Sequence, residues 1–233
     1  MARITRKELK TDKFALEVEH TVTFFEEHQQ LIYRYGGMVV AAAVLFTAYT
    51  FYSRHQHAKR EQALYQAIQV EEAPVGPPNP GTNMSFPTQA AKNQVAIKAF
   101  SDLQSQYSGS SEAEIAEYYL GSISADEGKL ADAEKSFKHV ADKADTGYAS
   151  LAKLALAQIY FADGRDPQAE AILKDLSDHP TEFVSKDQAS ITLARYLIAK
   201  KPAEARKILD ALRVKPGAVG QAALTMYAEL PPQ

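Results

Sequence analysis

The sequence contains no cysteine. No disulfide can brace it and no thiolate metal site can form, so its core must come from packing alone. An oxidising and a reducing compartment fit that absence equally. A basic excess is missing as well: 26 Lys and Arg stand against 29 Asp and Glu, a net charge of -3. Nucleic-acid binders carry a basic footprint, and this composition supplies none.

Catalytic signatures are also absent. There is no Gly-rich phosphate loop, no His-Glu-x-x-His and no nucleophile elbow. His55 and His57 stand two apart, a spacing that sends them to different faces of a helix and makes no metal pair. His139 and His179 read as solvated histidines in a helix and a turn. Asp132 with Glu134 and Asp175 with Asp178 sit on helix surfaces, and nothing places them in a shared cleft. The expectation is a non-enzyme with no catalytic residue, cofactor or metal, taking no small-molecule substrate and no nucleic acid.

One feature dominates what remains. The run from Tyr35 to Ser53 holds 19 residues without a charge, bounded by Arg34 and Arg54. As a helix it spans about 28 Å, close to the hydrocarbon thickness of a bilayer. Tyr33, Tyr35, Tyr49, Phe51 and Tyr52 place rings at its two ends, where aromatic side chains favour the headgroup level. The segment Phe51-Tyr52-Ser53-Arg54 is a poor cleavage site, so the run reads as a retained anchor and not a signal peptide. We therefore expect a transmembrane helix over residues 34–54. Arg34 on one side, against Arg54, Lys59 and Arg60 on the other, leaves the orientation undecided by charge. Gly37 and Ala41 offer a small-residue face within it.

Residues 1–33 predict an amphipathic helix. Thr5 and Glu8 have capping-box spacing, and Phe14, Val18, Val22 and Phe25 form one apolar stripe. Six basic and six acidic residues up to Arg34 argue against simple adhesion to anionic lipid. A helix packed on itself or on the membrane surface, and a docking helix for a membrane partner, both fit. After the span, residues 55–72 predict a further helix. Residues 73–90 follow as a Pro/Gly-rich, partly extended, flexible loop around Pro74–Pro87. The triplet Asn83-Met84-Ser85 matches a glycosylation acceptor, a pattern common by chance.

About 180 residues lie beyond the span, enough for one domain with its own core. Residues 91–233 read as one helix after another with an internal period near 36 residues. Leu120, Gly121, Ala133, Phe137 and Val140 define one unit. Leu156, Ala157, Tyr160, Ala169, Leu173 and Leu176 take the matching places in the next, and Leu193, Tyr196, Ala205, Leu209 and Leu212 in a third. Short turns divide the helices at Asp126–Lys129, Asp163–Asp166 and Lys200–Pro202. Such a period marks helix-turn-helix solenoids.

These units resemble the tetratricopeptide repeat. Leu120-Gly121, Ala133 and Phe137 carry the likeness in the first unit, and Leu156-Ala157, Tyr160, Ala169 and Leu173 in the second. In the third, Thr192-Leu193 stands where a large-small pair is usual. Ala96, Phe100 and Leu103 look like the second helix of an earlier unit whose first helix is 58–71, and 218–230 looks like a terminal cap. The fold expected is all-α: an N-terminal helix and one transmembrane helix followed by a tetratricopeptide-like solenoid.

The layout as a whole is similar to the YfgM-type ancillary subunits of the Sec translocon. Phe24-Phe25-Glu26-Glu27-His28 before the span, and Tyr52–Gln56 with Ala63–Ala67 after it, carry that likeness. The Thr5–Leu9 opening and the Pro-rich loop depart from it. The resemblance implies a single-pass bacterial inner-membrane protein with a cytoplasmic N-terminus and a periplasmic repeat domain. It implies SecYEG, a PpiD-type chaperone and client polypeptides as protein partners beside the lipid bilayer. An adaptor in envelope or outer-membrane assembly, independent of the translocon, is the alternative.

In tetratricopeptide arrays the first helix of each unit lines the binding groove. The repeat register then assigns Ile115, Tyr118, Ser122, Ala125 and Asp126 to it, followed by Leu151, Leu154, Gln158 and Phe161, and by Ser190, Ala194 and Leu197. The groove is apolar and lacks a Lys/Arg/Asn clamp for a terminal carboxylate. It suits a partner helix or an unfolded segment. The chain's own helices 58–71 or 218–230 are the competing occupants.

Overall fold

Apolar side chains recur every three or four residues along most of the chain, and the computed structural model folds each such stretch as a helix. It describes residues 29–77, 84–143 and 147–231. The capping box and the apolar stripe expected over residues 5–25 lie outside that range, as does Asn83. Among the described residues there are nine helices. The chain divides into two compact units, Met1–Lys59 and Arg60–Gln233.

The first unit is described from Gln29, where α1 (Gln29–Glu72) begins. Among the described residues it is the one helix long and apolar enough to cross a membrane, with a mean hydropathy of 1.4 over its most apolar window. Met38, Val39, Val40, Val44, Leu45 and Phe46 are all exposed. Each would gain roughly 1.5–3 kcal/mol from leaving water, so this surface calls for an apolar environment. Its two threonine hydroxyls bond back to the helix backbone: Thr47 donates to the Ala43 carbonyl at 2.8 Å and Thr50 to the Thr47 carbonyl at 2.9 Å. Backbone acceptors thus satisfy both groups without solvent.

In the second unit α1 continues from Arg60 and pairs with α2 (Gln89–Gln106). Three more hairpins follow: α3 (Ser111–Asp126) with α4 (Leu130–Ala141), α5 (Gly147–Ala162) with α6 (Asp166–Asp178), and α7 (Lys186–Lys200) with α8 (Pro202–Leu212). A single helix, α9 (Ala218–Ala228), packs on α7 and α8 and closes that end. Helix starts are set locally. Thr88, Ser110 and Ser185 accept from the amides of Ala91, Ala113 and Gln188, and prolines occupy the first turns of α6 and α8. Gly128 and Gly164, 36 positions apart, hold φ of 76° and 73° in the turns that end α3 and α5. Only glycine enters that region freely.

The core forms two clusters. Ala67 and Val70 of α1 pack with Ala96, Phe100 and Leu103 of α2 and with Ala113, Ala116 and Ile123 of α3. The larger cluster runs from Ala133, Phe137 and Val140 through the later hairpins to Met226 and Leu230. Polar ties accompany the first: Arg60 meets Glu112 at 3.3 Å, Lys92 reaches the Glu71 carbonyl at 2.5 Å, and Asn93 donates to Glu127 at 3.1 Å. Small residues let the helices of a hairpin close up. A methyl added at Gly121 would sit 3.0 Å from the Phe137 ring, and Ala157 and Ala194 at the matching places are completely buried.

Two expectations need correcting. The third large-small pair is Leu193-Ala194, 37 positions after Leu156-Ala157, and not Thr192-Leu193. The segment between α6 and α7 holds one more residue than a strict 36-residue period allows, and the shorter turn at Lys201 takes it back. Thr181 and Val184 pin that segment by pairing across it at 2.9 Å, with Val184 fully buried. The Pro-rich loop, read as flexible from Pro74 to Pro87, is closed at its base. Gly76 donates to the Phe86 carbonyl at 2.8 Å, Phe86 donates to that of Pro74 at 3.0 Å, and Phe86 packs on the first cluster.

Candidate functional site

The first helices of the two central hairpins, α3 and α5, diverge enough to leave a cavity of about 350 Å³ between them. α3 contributes Tyr118, Ser122, Ala125 and Asp126. Leu130 and Phe137 of α4 close its rear. α5 contributes Leu151, Leu154, Ala155, Gln158, Ile159 and Ala162. On α5 the residues Leu151, Ala155, Gln158 and Ala162 recur at intervals of four, three and four, which is one helix face. Alanines at two of those places leave the space unfilled.

Rings fix the wall on the α3 side. Tyr118 meets Tyr148 edge-on at 5.2 Å and Phe137 at 5.6 Å. Behind it Tyr119 stacks on Phe100 at 4.9 Å and lies 6.2 Å from Tyr148. Burial pushes the Tyr118 phenol above its ordinary pKa, with the Ser122 hydroxyl working against the shift and Tyr148 adding to it. Tyr119 is raised more strongly, by burial first and then by its hydrogen bond with Tyr148. Both phenols stay neutral at physiological pH, so the wall is aromatic without charge.

The repeat register assigned twelve residues to a groove. The structure gathers seven of them, Tyr118, Ser122, Ala125, Asp126, Leu151, Leu154 and Gln158, around this cavity. Ile115 is half-buried on α3 and does not line it. Phe161 turns into the core and stacks on Tyr196 at 4.0 Å. Ala194 and Leu197 are core residues, at 0% and 1% exposure. The one-residue slip before α7 explains them. One residue turns a helix by about 100°, so the places matching Tyr118 and Ser122 on α7 are Ile191 and Arg195. Ser190 lies off this cavity, and its hydroxyl meets that of Ser177 at 3.0 Å.

Five lining residues were not anticipated: Leu130, Phe137, Ala155, Ile159 and Ala162. Stepping four residues on from Leu151, again from Ala155, and from Gln158 would have found the three on α5. Neither 58–71 nor 218–230 contributes a lining residue. Among the described residues no group of three or more His, Asp or Glu is placed to hold a metal ion.

The sequence profile of the tetratricopeptide repeat-like domain family matches residues 23–146, more than half of the chain. A second profile, tetratricopeptide repeat, matches residues 124–182. Together they cover α1 to α6 and both walls of the cavity. No curated protein and no solved structure gives a significant match.

Proposed function

The chain belongs to the tetratricopeptide repeat-like domain family, and we propose that it is a membrane-anchored scaffold that binds polypeptides in the cavity between α3 and α5. Repeats of this family are protein-interaction modules, and the matches include no enzyme family. One observation carries the reading: an apolar cavity lined by first helices of two successive repeats, with no lining residue from 58–71 or 218–230. Apolar clefts with a few convergent polar groups are the usual binding sites of such folds. The exposed apolar face of α1 supports the anchor.

We place the scaffold in a bacterial inner membrane, single-pass, with its N-terminus in the cytoplasm and its repeats in the periplasm. There it works beside the SecYEG translocon and a PpiD-type chaperone and handles emerging client polypeptides. That part rests on the resemblance of the layout to YfgM-type subunits. The action is binding without turnover. Affinity purification of the tagged full chain from mildly solubilised membranes tests it, with translocon subunits expected in the eluate. An eluate with protein partners but no translocon subunit would leave an envelope-assembly adaptor in its place. Protease access in spheroplasts, with a tag at each end, tests orientation: the C-terminal tag is digested and the N-terminal one protected. Protection of the C-terminal tag overturns the periplasmic assignment.

A further inference from the structure

Charge around the cavity is one-sided. Asp126 and Ala162 are the last residues of α3 and α5, and both line the same cavity. Two helix C-termini therefore border it, and each presents the partly negative end of a helix dipole. Asp126 adds a full carboxylate. It is exposed and makes no ion pair among the described residues. The cations nearby in sequence are already engaged. Lys129 meets Glu127 at 2.7 Å, and Arg165 is shared between Glu134 at 2.7 Å and Asp163 at 2.6 Å. An unmatched negative charge thus stands at one end of a space walled by Tyr118, Phe137, Leu151 and Ile159.

On the reading that the cavity binds polypeptides, we infer that it selects a bulky apolar side chain preceded or followed by lysine or arginine. The volume of about 350 Å³ takes one Phe or Leu side chain with room for its backbone. Tyr118 supplies an aromatic edge for it. The exposed Gln158 amide and the Ser122 hydroxyl offer donors and acceptors to the peptide backbone. The neighbouring basic side chain lies along the α3 and α5 ends, with its head at Asp126. A segment with an acidic residue at that place is rejected, because it meets a carboxylate and two helix C-termini.

The test measures fluorescence anisotropy with the full chain in detergent micelles. The probe is a dye-labelled heptapeptide, blocked at its ends, with Lys-Phe at its centre; companions carry Gln-Phe, Glu-Phe or Lys-Ala instead. The Lys-Phe peptide binds about 3- to 5-fold tighter than Gln-Phe, an exposed ion pair's worth. Glu-Phe binds weaker than either. Lys-Ala falls at least about tenfold below Lys-Phe, since the apolar side chain supplies most of the affinity. Asp126→Asn removes the preference for lysine over glutamine, and added salt shrinks it in the unaltered protein. Ala155→Leu fills the cavity and lowers binding of all the Phe peptides about tenfold. Should that variant fail to fold by circular dichroism, the exposed Asp126→Asn decides alone. Equal binding of the four peptides, no saturable binding, or a lysine preference that survives Asp126→Asn overturns the inference. Partner recovery from membranes is read separately: if it persists in any of those cases, the scaffold stands and the selectivity falls.

Discussion

Arg165 holds Glu134 with both terminal guanidinium nitrogens, at 2.9 and 2.7 Å, and sets its guanidinium carbon 4.1 Å from the centre of the Tyr160 ring. Thirty-six positions on, Lys201 holds Glu170 through both carboxylate oxygens at 2.7 and 2.9 Å. Two successive units therefore carry the same ion pair, from the first turns of the second helix (α4, then α6) to the turn after the next first helix. It ties one hairpin to its successor beside the apolar seam.

This tie predicts a pH dependence. Hydrogen bonds from Arg165 first, and from Lys138 second, hold the Glu134 carboxyl at about 2, well below its ordinary 4.5. A depressed folded-state pKa means stability that is fully present above pH 4.5 and is lost as pH falls toward 2. Glu134→Gln should lower stability at pH 7 by about 1 kcal/mol, or about 2–4 °C in Tm. Between pH 4.5 and 2 the gap between the two proteins should close. Thermal unfolding of both across that range checks it, and a constant gap would remove the carboxylate from the account.

The approach of α3 to α4 predicts a steric coupling. A methyl at Gly121 already sits 3.0 Å from the Phe137 ring, and Phe137 is 2% exposed. Gly121→Leu should destabilise by about 1–3 kcal/mol through overpacking. Phe137→Leu alone creates space and costs about as much. Together the two changes should cost less than their sum, because one vacates what the other fills. Urea unfolding of the four proteins measures the coupling, and strict additivity would mean the two sites do not share a volume.

The hairpins were legible because their determinants are local. Apolar period, a glycine at Gly128 and Gly164, and prolines after the turns are all written within a few residues. What stayed hidden depends on pairs far apart or on the length of a connection. The closure of the Pro-rich loop rests on Gly76 meeting Phe86, ten positions away, with no flanking pattern to announce it. The third unit slipped because one residue between α6 and α7 carries no signature in composition. Yet it moved Ala194 from the expected groove into the core. At the cavity, the large residues of α5 drew notice, while Ala155 and Ala162 shape the space by being small.

That slip can be checked by substitution. Ala194 is completely buried whereas Arg195 is exposed. Ala194→Asp should cost several kcal/mol, at least about 3, because it buries an unpaired charge. Arg195→Asp should change stability by no more than about 0.5 kcal/mol. Equal tolerance at the two positions in a thermal melt would restore the 36-residue register and return Ala194 to the groove.

The apolar half of α1 gives the last prediction. Val40 and Val44 are exposed, one turn apart on the same face, near the middle of the uncharged run. An arginine at the centre of a membrane helix costs about 2.5–3.5 kcal/mol. The double change Val40→Arg with Val44→Arg should therefore cost about 5–7 kcal/mol of insertion, more than snorkelling at one turn's depth recovers. Alkaline extraction of membranes should move the variant into the soluble fraction while the unaltered chain stays in the pellet. Tyr65→Arg, equally exposed but beyond the run, controls for added charge and should leave partitioning unchanged. If the double variant stays in the pellet as firmly as the unaltered chain, α1 does not cross the bilayer. The apolar face would then have to be covered by protein.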